Sequence, residues 1–84
     1  MIKVQLSKDN ILRVHYKAPQ RIITKAVQLA NEFINGNLLP RKLSNGKLRV
    51  IDVDTNNRIV IENTGKINLY EHQQYNKKIK LISR

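Results

Sequence analysis

The chain has no cysteine among its 84 residues. That excludes disulfide stapling, thiolate zinc sites and cysteine nucleophiles, and it leaves the redox compartment undecided. Tryptophan is also absent, and three tyrosines and one phenylalanine are all the aromatics present. Extensive base stacking of the kind used by single-strand readers is therefore not expected. Two prolines and three glycines give no low-complexity linker. No glycine-rich phosphate loop, HExxH pair or Cys/His ligand set occurs. No apolar run is long enough to span a membrane. No signal peptide is visible, because the alternating run 2–6 is too short. Acids are scarce too, with six Asp and Glu against sixteen Lys and Arg, a formal charge of +10. That excess points to an anionic partner, nucleic acid first and an acidic protein second, with a merely solvated basic surface as the bland alternative. The length predicts one domain over residues 1–84. A chain this size buries only about 60–70% of its unfolded surface, enough for one sheet and one or two helices.

What is present is organised around residues 47–70. Three β-rich runs, KLRVIDV at 47–53, RIVIE at 58–62 and KINLY at 66–70, are separated by DTNN and NTG. β-Branched residues favour the pleated surface and Asp, Asn and Gly supply turns, so an antiparallel three-stranded meander is expected. Leu48 and Val50 share one face of its first strand, while Arg49, Ile51 and Val53 share the other. Both faces are partly apolar and both need cover.

Before the meander, Ile2, Val4 and Leu6 alternate with Lys3 and Gln5, and Leu12, Val14 and Tyr16 alternate with Arg13, His15 and Lys17. The turn 7–10 makes these runs a β-hairpin, which must pair with or pack on later elements. After Pro19 the period changes. Ile23, Ala26, Val27, Ala30, Phe33 and Ile34 make a stripe that Ile22 and Leu29 widen, so an amphipathic helix of about four turns is predicted. Gly36 is its expected stop. Beyond Tyr70, the spacing of Tyr75, Ile79 and Ile82 fits a short C-terminal helix, and residues 79–82 fit a final strand equally well. The fold class is α+β: N-terminal β-hairpin, one long amphipathic helix, three-stranded meander, and a short C-terminal helix or strand.

Three residues are candidates for chemistry. His72 can move a proton near neutral pH, Tyr75 can act as an acid or stack on a base, and Arg58 can steady charge on a phosphorane. Together they would suit metal-independent RNA cleavage through a 2′,3′-cyclic phosphate. The bland readings are a surface or capping histidine, a core tyrosine with its hydroxyl at the rim, and a snorkelling arginine. A pair formed by His15 and His72 is a further acid–base option whose separation the sequence leaves open. Arg41, Lys42, Lys47 and Arg49 place four cations within nine positions without an acid. With Lys66, Lys77 and Lys78 they are the candidate nucleic-acid contacts. Asp52 and Asp54 lack a third ligand nearby in sequence, and turn initiation explains Asp54 more simply than a metal does. No metal and no cofactor is expected.

The order of elements, with Leu43, Gly46, Leu48-Arg49-Val50, Arg58-Ile59-Val60 and the segment EHQQYN at 71–76, resembles the RelE/ParE superfamily of toxin–antitoxin toxins, and more loosely small microbial RNases and colicin nucleases. The resemblance is best over about residues 38–79. It implies a cytoplasmic toxin that inhibits translation by cleaving RNA, with RNA or the ribosome as target and an acidic antitoxin over the basic groove. Family members often begin with two helices, whereas one helix after a hairpin is read here, and their arginine-rich catalytic set is matched only at Arg49 and Arg58. ParE-type relatives lack the nuclease residues and act on DNA gyrase. The alternative is therefore a non-enzymatic module that binds nucleic acid or poisons a protein such as gyrase. A small regulator is a third option that no motif identifies.

Overall fold

The computed structural model describes residues 2–7, 9–43 and 48–82. Two strands, β1 (Ile2–Ser7) and β2 (Asn10–Val14), form the expected hairpin. Helix α1 (Gln20–Ile34) follows, then a two-residue strand β3 (Arg41–Lys42). Strands β4 (Leu48–Asp52), β5 (Asn57–Glu62) and β6 (Ile67–Glu71) come next, and helix α2 (His72–Ile82) is the last described element. The open choice at the C-terminus thus resolves to a helix.

All six strands belong to one sheet, in the order β1-β2-β6-β5-β4-β3. The expectation of a three-stranded antiparallel meander is corrected in strand number and topology. Its antiparallel part has four strands, because Arg41 and Lys42 pair with Val50 and Arg49 along the outer edge of β4. Its other edge is not free either: β6 pairs with β2 in parallel, through Leu12 with Ile67 and Val14 with Leu69. The hairpin is therefore an extension of the sheet. Parallel pairing needs a long crossover between the two strands, here everything from α1 to β5.

Side-chain alternation explains the two layers. One face carries Leu12, Val14, Ile51, Val53, Ile59, Ile61, Ile67 and Leu69, and α1 closes it with Ile22, Ala26 and Ala30. The small alanines let the helix backbone approach the sheet, so the buried centre of the stripe lies on Ile22, Ala26 and Ala30, with Ile23, Val27 and Phe33 at its margins. The helix stops as expected. Gly36 adopts φ +79, and the amides of Gly36 and Asn37 donate back to the Phe33 and Glu32 carbonyls at 3.1 and 2.8 Å. This is a Schellman closure, which needs a residue that tolerates positive φ. The other sheet face has a smaller cluster, Leu48, Val60 and Tyr70, packed by Leu43 and by Tyr75 of α2. No helix among the described residues is long and apolar enough to cross a membrane.

Candidate functional site

The face beneath α2 holds most of the polar chemistry. Asp52 and Arg58 are direct partners in the β4–β5 ladder, and so are Arg58 and Tyr70 in the β5–β6 ladder. Arg58 Nε lies 3.1 Å from Asp52 Oδ1, and the Arg41 guanidinium lies 3.1 and 3.0 Å from the two Asp52 oxygens. A single carboxylate on β4 thus bridges two arginines from the strands on either side of it. The Arg58 side chain is 20% exposed, against 59% for Arg41. It is held on a third side by the Thr55 carbonyl at 3.3 Å, and its guanidinium sits 5.2 Å from the centre of the Tyr75 ring. Stacking of this kind contributes about 0.5–1 kcal/mol at a partly exposed site.

A second network lies beside it. The His15 and Tyr70 rings stack with centroids 4.6 Å apart and planes 13° from parallel. Asn68, almost fully buried, donates from its amide nitrogen to the Val60 carbonyl at 3.3 Å and to Glu62 Oε2 at 2.9 Å. Its oxygen is then the acceptor, which assigns the proton to His15 Nε2 at 2.9 Å. Burial, and then the charge of Glu62, raise the Tyr70 hydroxyl above its ordinary pKa.

Helix α2 is pinned over this face at its first turn. The His72 amide donates to the Asn56 carbonyl at 2.7 Å, and the Gln74 amide donates to the His15 carbonyl at 2.9 Å. The turn that receives His72 is itself braced. Asp54 Oδ1 accepts from the Asn56 backbone at 2.8 Å and from the Asn57 side chain at 2.9 Å. The Tyr16 hydroxyl donates to the oxygen of the same Asn57 amide. Asp54 therefore serves as a turn residue.

The three candidates for chemistry do not meet as one set. Arg58 and Tyr75 are in contact, but Arg58 is already ion-paired and Tyr75 is half-buried against Val60 and Tyr70. His72 is exposed. Its Nε2 accepts from Asn76 at 3.3 Å, and it lines a depression with Asn56, Glu71 and Gln73. His15 and His72 make separate contacts, with Tyr70 and Asn68 in one case and Asn76 in the other.

Nor do the basic candidates form one patch. Arg49 lies on the opposite sheet face from Arg58, with its guanidinium 5.2 Å from the centre of the Phe33 ring of α1. Strand parity forces this: Arg49 shares its side with Ile51, and Arg58 faces Asp52 across the ladder. Arg49 is therefore placed where it cannot serve His72 or Tyr75. Arg41 is engaged by Asp52, and exposed Lys42 pairs with Arg49 on the α1 side. Lys66 borders the β5–β6 turn, and Lys77 is exposed on α2. The backbone of Lys78 is in α2, while its side chain and Lys47 lie outside what is described.

Three residues of these networks escaped the reading of the sequence. Asp52 reads from the sequence only as one of two carboxylates short of a metal site, and its pairing with Arg58 follows once the DTNN turn fixes the register. Asn68 is an amide in the middle of a buried strand, an anomaly that itself signals a satisfied polar network. Glu62, at the end of its strand, carried no signal.

The profile of the ParE-like toxin domain matches residues 20–77. No curated protein and no solved structure matches the chain. The match overturns the expectation of an endoribonuclease that inhibits translation, because ParE-type toxins are generally known to act by poisoning DNA gyrase. The dispersed acid–base residues agree with that correction. With the matched segment running from the start of α1 into α2, across most of the chain, this protein belongs to the ParE-like toxin family.

Proposed function

We propose that the chain is a non-enzymatic toxin that acts on DNA gyrase in the cytoplasm and is held inactive by an acidic antitoxin. The observation that carries this reading is the ParE-like match over residues 20–77. The charge of +10 supports an acidic inhibitor, since charge complementarity speeds association and discriminates partners. The chemistry beneath α2 supports a binding role over a catalytic one. Arg58 is neutralised by Asp52 and covers Tyr75, so its use is structural and recognition-like. We assign Arg58 and Tyr75 to shaping the surface under α2, and exposed His72 and Lys77 to contacts with the protein target.

A labelling experiment in cells tests this. Expression of the chain without an antitoxin is expected to arrest thymidine incorporation before methionine incorporation falls. Translation failing first, with replication intact, contradicts the gyrase reading.

A further inference from the structure

We propose that the outer face of the N-terminal hairpin, with Lys3, Arg13 and Lys66 at its centre, is a contact surface for the phosphate backbone of duplex DNA. The inference rests on the gyrase reading, because gyrase holds a DNA duplex beside any protein that poisons it.

The hairpin lies outside the matched segment 20–77, yet it is built into the sheet through the β2–β6 pairing. Lys3 and Arg13 are direct partners in the β1–β2 ladder, so both side chains leave the same face, the one opposite α1. Like charges placed directly across a ladder are destabilising, with Cβ atoms only about 4.5–5.5 Å apart. A lysine on edge strand β1 has a bland explanation, because edge lysines discourage pairing with a second sheet. Arg13 does not share it: β2 is an interior strand, flanked by β1 and β6. Arg13 also lines a depression of about 190 Å³ between the β1–β2 and β5–β6 turns, together with Lys66, Asn10 and Thr64. Among the described residues that line it, Asp9 is the one acid, against two cations. Among the described residues, ion pairs join only Arg41 and Arg58 to Asp52, so Lys3, Arg13 and Lys66 make none.

The surroundings favour phosphate over an acidic peptide. A peptide that orders on binding needs apolar burial, and among the described residues this face offers a single exposed aliphatic, Ile11, 37% exposed, beside Gln5. The apolar groove of the molecule lies at the other edge of the sheet, where Leu38, Leu39, Val50 and Ile51 line it. Cations spaced along a twisted two-stranded ribbon suit a row of phosphate oxygens.

Fluorescence anisotropy with a labelled 20-base-pair duplex, without gyrase, reads the surface directly. Three phosphate contacts predict an affinity loss of about 40-fold between 50 and 200 mM salt, and Lys3→Gln with Arg13→Gln should reduce that loss to about threefold. Lys25→Gln on exposed α1 is the control and should leave most of the loss in place. Lys3→Arg with Arg13→Lys keeps the charges and should keep binding, which separates a charge effect from misfolding. A double variant that is folded by circular dichroism and binds with the wild-type salt slope overturns the proposal. So does tighter binding of poly-glutamate or RNA than of the duplex to the same residues. Gyrase poisoning is scored in a separate reaction. Normal DNA binding with no poisoning removes the gyrase reading, and poisoning with no hairpin-dependent DNA binding removes this one.

Discussion

Asp54, Asn57 and Tyr16 form a chain of hydrogen bonds that ties the exit of the hairpin to the β4–β5 turn. Burial alone would raise the Asp54 carboxyl, but the bonds from the Asn57 side chain and the Asn56 and Asn57 amides, with the charge of Arg21, bring it below its ordinary 3.8. A carboxyl lowered in the folded state stabilises fully above its unfolded pKa, and that contribution fades as pH falls through the folded value. Asp54→Ala should cost less than about 1 kcal/mol in urea unfolding at pH 7, because water screens this largely exposed carboxylate, with the gap to the parent protein shrinking below about pH 4. Tyr16 behaves in the opposite sense. Burial first, then the charges of Asp54 and Glu71, push its hydroxyl up to about 12. Its contribution is complete below the unfolded value of 10.0 and is lost as pH rises toward 12. Tyr16→Phe should therefore flatten the alkaline loss of stability between those limits, and absorbance of phenolate at 295 nm should lose its latest titrating group. Asn68 is the third such residue. Asn68→Ala leaves the Glu62 and His15 partners without their bonds in a nearly closed site and should cost about 2 kcal/mol.

At the scale of elements, the question is how firmly α2 is held. Its described contacts with the sheet run through the first turn and Tyr75. Tyr75→Ala removes both the ring under Arg58 and the plug against Val60 and Tyr70, whereas Tyr75→Phe keeps both. Hydrogen exchange should accelerate in the α2 amides of Tyr75→Ala, stay near the parent rate in Tyr75→Phe, and hardly change in β5 and β6. Exchange that accelerates equally in α2 and the central strands would show the helix to be part of the main cooperative unit. These elements were legible to different degrees. The hairpin, the helix with its Gly36 stop and the strands at 48–52, 57–62 and 67–71 follow from local patterns, because turn chemistry and side-chain period act within a few residues. The β2–β6 pairing joins Leu12 to Ile67 and carries no local signal. The two-residue β3 is too short to have a period at all. The site suffered from the same gap. The alternation of Arg49 with Leu48 and Val50 was readable, but which face Arg58 took depended on the register across the DTNN turn. His72 and Tyr75, three positions apart on one helix, meet different surroundings because the first turn of α2 lies over the β4–β5 turn and the second over the sheet.

For the molecule as a whole, charge and topology point the same way. The net charge is +10, and Asp52 offsets only one of the two positive charges on Arg41 and Arg58, so most of the uncompensated cations lie elsewhere. They are spread over the hairpin, α1 and α2 instead of being gathered in one catalytic groove, which suits a protein recognised and restrained through broad surfaces. Affinity for an acidic antitoxin should accordingly depend on association rate, falling several-fold as salt rises from 50 to 200 mM while dissociation changes less. The central claim is that the chain disables gyrase without cutting RNA. Purified gyrase, plasmid and ATP, incubated with the chain and then quenched with detergent and protease, measure it directly. Linear plasmid from trapped cleavage complexes should accumulate, with ribosomal and messenger RNA left intact in a parallel reaction. Unimpaired supercoiling together with RNA fragments that disappear in His72→Ala would contradict it.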